Sequence, residues 1–174
     1  AYERLGVDRL IRIREDMRTL GIRPPASVLD VGCNTGLFSL GLACAGYRCV
    51  GIDNGIAARA QGFYPGDMIV LARDQQTSLG LTNLEFVSAD IVGWLGQLNR
   101  SFEVVLLLSV VHQWISGYAE TGIGRQSIEH ILDFLRRLSQ HTTRAWYWEA
   151  PGPSEVQIVN ALPMPQLALD LGIA

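Results

Sequence analysis

The stretch VLDVGCNTG, residues 28–36, runs an apolar segment into an acid, Asp30, and then into a loop of small residues. Gly32 permits a tight turn and close approach of another group to the backbone, and Asn34 is one of the few non-glycine types that tolerate positive φ. Gly36 lets a following helix begin against the preceding strand. The free N–H groups at such a helix start favour a negative ligand group, by about 0.3–1 kcal/mol from the helix dipole at an exposed site. The loop is therefore expected to hold a carboxylate or a phosphate. Cys33 reads as a small loop filler rather than a nucleophile, because no partner base is identifiable for it.

Two further acids stand at strand ends: Asp53 in VGIDNG, seventeen residues after Gly36, and Asp90 in FVSADI. Each has a plain alternative. Asp30 could cap a neighbouring turn, Asp53 alone would equally suit the ribose of a nicotinamide dinucleotide, and Asp90 could be the N-cap of a helix begun by Ile91. In LLLSVVHQW, His112 lies three residues past Ser109. With an ordinary pKa near 6.5 it is the best candidate for a general base; the alternative is packing against Trp114 or a hydrogen bond to backbone. Trp114 and Tyr118 could line a pocket or pack in the core. His130 and His141 read as structural or solvated, and no metal is expected, because Glu129 and His130 are adjacent on a helix and cannot face one ligand.

The elements that must position these residues alternate. Residues 3–20 form an amphipathic helix with Leu5, Leu10, Ile13, Met17 and Leu20 on one face, ended before Pro24 and Pro25. Strands follow at about 27–32, YRCVGID, LEFVSAD, FEVVLLLSV and RAWYWEA. Between them come a buried helix over TGLFSLGLACAG and an irregular loop over 54–66. A helix with Asp67 as its N-cap follows, and then one over 126–139 with Ile128, Ile131, Leu132 and Leu135 inward. The continuous apolar run of the fourth strand is what a central parallel strand covered on both faces requires. Such alternation predicts an α/β fold, an open, doubly wound, mostly parallel sheet, in which ligands bind beyond the carboxyl ends of the strands.

Composition narrows the function classes. The chain has 174 residues, 48% of them apolar, and a net charge of -3, which gives no general attraction to nucleic acid or anionic membrane. All 14 basic residues are Arg, so the lysine of a phosphate-binding P-loop is missing, as is its G-K-[ST] signature. The Gly32-x-Asn34-x-Gly36 loop also lacks the G-x-G-x-x-G spacing of a dinucleotide site. Three cysteines without a C-x-x-C pair or secretory signal fit a reducing cytoplasm. No apolar run approaches the roughly 18 residues of a membrane span. The chain opens at Ala1 inside a helical pattern, which suggests a piece of a longer protein.

VLDVGCNTG resembles the first motif of class I S-adenosylmethionine-dependent methyltransferases, an acid-x-Gly-x-Gly-x-Gly pattern with Asn at the middle glycine. The resemblance extends over about residues 25–151 and through four ordered matches. It implies a Rossmann-like methyltransferase fold whose first loop faces the methionine carboxylate. Asp53 would accept hydrogen bonds from both ribose hydroxyls, and Asp90 with the Ala89 backbone would bind adenine. LLLSVVHQW is similar to the fourth motif, which passes beside the methyl donor, and YWEAP to the fifth-strand ending, where Glu149 is a frequent acid. The implied cofactor is S-adenosyl-L-methionine. Its binding set is Asp30, Gly32, Cys33, Asn34, Gly36, Asp53, Asn54, Ala89, Asp90 and Ser109, with His112 catalytic.

The pattern departs from the family in two places. SQHTTR replaces a PGG-like turn before the fifth strand, and residues 152–174 show no pair of strand-like runs for the usual terminal hairpin. The organisation expected is an N-terminal helix over 1–24, a cofactor-binding core over 25–151 and an irregular segment over 152–174. The function expected is methyl transfer to an acceptor, a small molecule being favoured by the acidic balance and RNA or protein remaining open. Oligomeric state carries no signal. The alternatives are a non-catalytic cofactor-binding or scaffolding domain of a longer protein, and a nicotinamide-dependent oxidoreductase resting on Asp53 and fold analogy.

Overall fold

The computed structural model describes residues 2–55, 68–108, 110, 111, 114 and 126–149. Most of the 54–66 loop, Asp67, Ser109, His112, Tyr118 and the segment after Glu149 lie outside the described residues, as does the side chain of Leu5.

The first helix, α1 (Tyr2–Thr19), buries Ile13 and Met17 as its apolar spacing predicts. Leu20 corrects the expectation: it is 53% exposed. Gly21, at φ 69, turns the chain, with its N–H on the Arg18 carbonyl (3.1 Å) and the Ile22 N–H on the Met17 carbonyl (2.8 Å). That pair of bonds is the glycine-based helix stop in which an apolar residue after the turn packs back on the last helical turn. Ile22, 1% exposed, takes the inward place that the helical period assigned to Leu20.

Five strands then assemble: β1 (Ser27–Val31), β2 (Arg48–Asp53), β3 (Leu84–Ser88), β4 (Phe102–Leu107) and β5 (Thr142–Trp148). All pair in parallel, in the order β3-β2-β1-β4-β5. The intervening helices are α2 (Leu37–Cys44), α3 (Met68–Ser78), α4 (Ile91–Leu95) and α5 (Ile128–Gln140). Alternate strand residues feed two apolar layers, as the twofold period of a strand requires. Val28, Cys49, Phe86, Val104 and Leu106 pack with α1, α2 and α3, while Leu29, Val31, Ile52, Val105 and Leu107 pack with α4 and α5. The result is a three-layer α/β sandwich, doubly wound and Rossmann-like.

On α5 the inward stripe is Ile131, Phe134, Leu135 and Leu138, spaced i, i+3, i+4, i+7. Ile128, expected inward, is 39% exposed. It occupies the first helical position after the Ser127 cap, at the end of the stripe, where packing neighbours along the helix lie on one side only. Leu132 is half-buried against the same layer.

The chain runs β1 to β2 to β3 in one direction and then crosses to the other side of β1 for β4. This reversal is the switch point of an open parallel sheet, where the connections diverge and leave a crevice beyond the carboxyl ends of the strands.

Candidate functional site

The loop leaving β1 enters that crevice in the conformation its residue types call for. Gly32, Asn34 and Gly36 have φ of 71, 52 and 83. Backbone bonds from the Gly32 and Cys33 N–H groups to the Ile52 carbonyl (2.8 and 3.1 Å) lash the loop to the end of β2. Val110, from the segment after β4, closes on the other side: a Cβ added at Gly32 would stand 2.6 Å from its Cγ2. Gly36, at the start of α2, offers no side chain to cap the helix, and the Asp30 carboxyl interacts with the Ser39 N–H of the first turn.

Asp53 joins the parts. At the carboxyl end of β2 and half-buried, it accepts the Asn34 N–H on Oδ2 (2.9 Å) and the Gly55 N–H on Oδ1 (2.6 Å). Its own carbonyl accepts the Ala89 N–H at the end of β3 (3.2 Å). Loop 32–36, Asp53 with Asn54, and Ala89 with Asp90 therefore stand in a row along the ends of β1, β2 and β3.

Asp90 does cap α4: its Oδ1 accepts the Val92 and Gly93 N–H groups, both at 3.0 Å. Those bonds use one oxygen, Oδ1, of an exposed carboxylate.

Asp30 sits beneath the loop, 3% exposed, and accepts the Ser39 hydroxyl at 2.6 Å. Burial pushes its carboxyl up to about 6; the Ser39 bond opposes the rise and the nearby Asp53 charge adds to it. Cys33 is buried, and burial with the Asp30 and Asp53 charges drives its thiol far above the ordinary range, so it is no nucleophile at neutral pH.

Other sequence candidates fall away from the crevice or take structural partners. His141 lies at the opposite end of the sheet, its Nδ1 3.0 Å from the Arg100 carbonyl, and His130 is exposed on α5. Trp114 stacks edge-on against Phe134 with ring centroids 4.7 Å apart. Glu149 pairs with Arg9 of α1, whose guanidinium also lies over the Phe38 ring. Among the described residues no group of His, Cys, Asp and Glu is placed to hold a metal ion, and no helix is long and apolar enough to cross a membrane. Ser109 and His112 belong to the segment of Val110 and Val111 but lie outside the described residues.

Sequence reasoning missed Ser39, Phe86 and Arg9. Ser39 alone left a trace, a polar residue inside the apolar helix LFSLGLAC that proves fully buried.

No protein-family model and no curated protein matches the sequence. Solved structures do. The bifunctional kinase-methyltransferase WbdD superposes at a TM-score of 0.69 with 28% identity over 92% of this chain and 32% of that one. Magnesium protoporphyrin IX methyltransferase from Synechocystis PCC 6803, solved with S-adenosylhomocysteine, gives 0.61 at 21% identity over 90% of this chain and 62% of that one. TehB from Haemophilus influenzae gives 0.54 at 17% identity. The fold is that of the class I methyltransferases. The chain spans about a third of the length of WbdD.

Proposed function

We propose that this chain binds S-adenosyl-L-methionine and transfers its methyl group to an acceptor, a small molecule being favoured. One observation carries the proposal: the loop 32–36, Asp53 and Asp90 stand in sequence order along three adjacent strand ends, with Asp53 bonded to the loop. Their chemistry fits an adenosyl amino acid. The first N–H groups of α2 at the end of the loop suit a carboxylate. The two Asp53 oxygens each retain acceptor capacity for a vicinal diol. The Asp90 Oδ2 suits an exocyclic amino group, and the Asp30 and Asp53 charges suit a cation.

Once bound, the cofactor supplies an electrophilic methyl carbon. The work left to the protein is to align an acceptor and exclude water. Gly32, Cys33, Asn34 and Gly36 would hold the amino-acid end with Asp30 beneath, Asp53 and Asn54 the ribose, and Ala89 and Asp90 the base. Ser109 would line the methyl side, and His112 would take the acceptor's proton where the acceptor is a hydroxyl.

Calorimetry with S-adenosylhomocysteine tests this reading. A saturable, one-to-one heat that Asp53→Ala weakens by on the order of tenfold or more supports it; no heat from folded protein removes it. A non-catalytic domain of a longer protein has one point in its favour, the third of WbdD that the chain spans. Binding without turnover across a broad acceptor panel would select that reading.

A further inference from the structure

Asp30, Gly51 and Phe86 are register partners, one on each of β1, β2 and β3, so they form a row across one face of the sheet. The middle position has no side chain, and its neighbours fill the slot. A Cβ at Gly51 would stand 2.7 Å from Cε1 and 2.8 Å from Cδ1 of Phe86, and 2.8 Å from the Ser39 hydroxyl oxygen. The same edge of the ring continues to the cofactor loop: a Cβ at Gly36 would stand 2.5 Å from Phe86 Cζ and 2.9 Å from Cε1. Phe86 is 5% exposed, and the Arg73 guanidinium holds its carbonyl at 2.7 Å.

One rigid ring thus spans from the floor of the sheet to the joint where the loop becomes α2. On the other side of the slot, Ser39 reaches Asp30. We infer that Phe86 is a positioning residue for the cofactor loop: laid in the slot that Gly51 leaves open, its ring fixes the height of Gly36 and with it the place where the first N–H groups of α2 stand. This deepens the proposed function and rests on it for the identity of the ligand. The physical reason is that aromatic rings have few rotamers and a stiff edge, so a contact at Cζ transmits position in a way that a flexible aliphatic chain does not. Small displacements of binding groups weaken a site out of proportion to their size.

The test compares Phe86→Leu with Phe102→Leu. Phe102 is 3% exposed, at the amino end of β4, away from the crevice, so both variants lose the same atoms from the core. Two readouts are taken on each: amide hydrogen exchange of residues 32–37 without ligand, and the dissociation constant for S-adenosylhomocysteine. Phe86→Leu is expected to speed loop exchange and to raise the dissociation constant, each on the order of tenfold. Phe102→Leu is expected to leave both near the wild-type values despite a similar fall in melting temperature. Phe86→Met, similar to Leu in volume but unbranched and flexible, is expected to leave the loop as poorly protected as Phe86→Leu does.

Equal loop exchange in the two Leu variants overturns the inference, as does an unchanged dissociation constant in Phe86→Leu. Wild-type protein that fails to bind sinks the methyltransferase reading instead, and the exchange comparison still decides whether Phe86 positions the loop.

Discussion

At the scale of single residues, the buried Asp30 carries a cost in stability that depends on pH. Its carboxyl titrates near 6 in the folded protein against an ordinary 3.8, because burial disfavours the charge. Between those values the folded state holds the proton more tightly than the unfolded chain. Stability therefore falls as pH rises from about 4 to about 6 and levels off above, with a total cost on the order of 3 kcal/mol. Asp30→Asn should lose that part of the pH dependence and melt higher than wild type at pH 7, while binding S-adenosylhomocysteine more weakly. Melting curves from pH 4 to 8 check this, and parallel curves for the two proteins would contradict it. Gly32, Asn34, Gly36 and Asp53 were legible because each answers a local demand, positive φ or an acid closing a strand, that spacing reveals. Ser39 and Phe86 were not, because their meaning comes from register: only the pairing of β2 with β1 and β3 brings Gly51, Asp30 and Phe86 into one row.

At the scale of elements, α1 is fastened along β5 by a polar seam as well as by its apolar stripe. Arg9 meets Glu149, the Tyr147 hydroxyl donates to Asp16 at 3.0 Å, and Arg144 donates to the Leu20 and Gly21 carbonyls at 2.9 and 3.3 Å. Met17→Ala, at a position with no exposure, should destabilise by about 2–5 kcal/mol in urea unfolding. Tyr147→Phe, which only removes the bond to Asp16, should cost about 0.5–1.5 kcal/mol. The reverse order would show that the polar seam, not the stripe, holds the helix. The interiors of helices and strands were readable because burial repeats with their period. Their ends were not, since Leu20 and Ile128 obey the period and yet fall where the turn or the cap removes the cover. The short α4 has too few residues for any period to show, and only its Asp90 cap announces it.

At the scale of the whole molecule, the strand order β3-β2-β1-β4-β5 converts a linear series of motifs into one crevice. The β-α alternation made the parallel, doubly wound class legible. It did not show that Val110 would close on Gly32, a contact that exists only because β4 crosses to the far side of β1. A ligand held across all three strand ends, as proposed, would tie them together and should stabilise the fold as a unit. S-adenosylhomocysteine at a hundred times its dissociation constant should add about 2.7 kcal/mol, a rise in melting temperature of roughly 5–10 °C for a domain of this size. Asp53→Ala, binding about tenfold more weakly, should lose about half of that rise at the same ligand concentration. The most direct measurement is a cocrystal structure with S-adenosylhomocysteine. The account predicts its carboxylate at the loop of Gly32–Gly36, both ribose hydroxyls on Asp53 and its adenine amino group on Asp90. A ligand bound elsewhere, or in this crevice with its ribose away from Asp53, would contradict it.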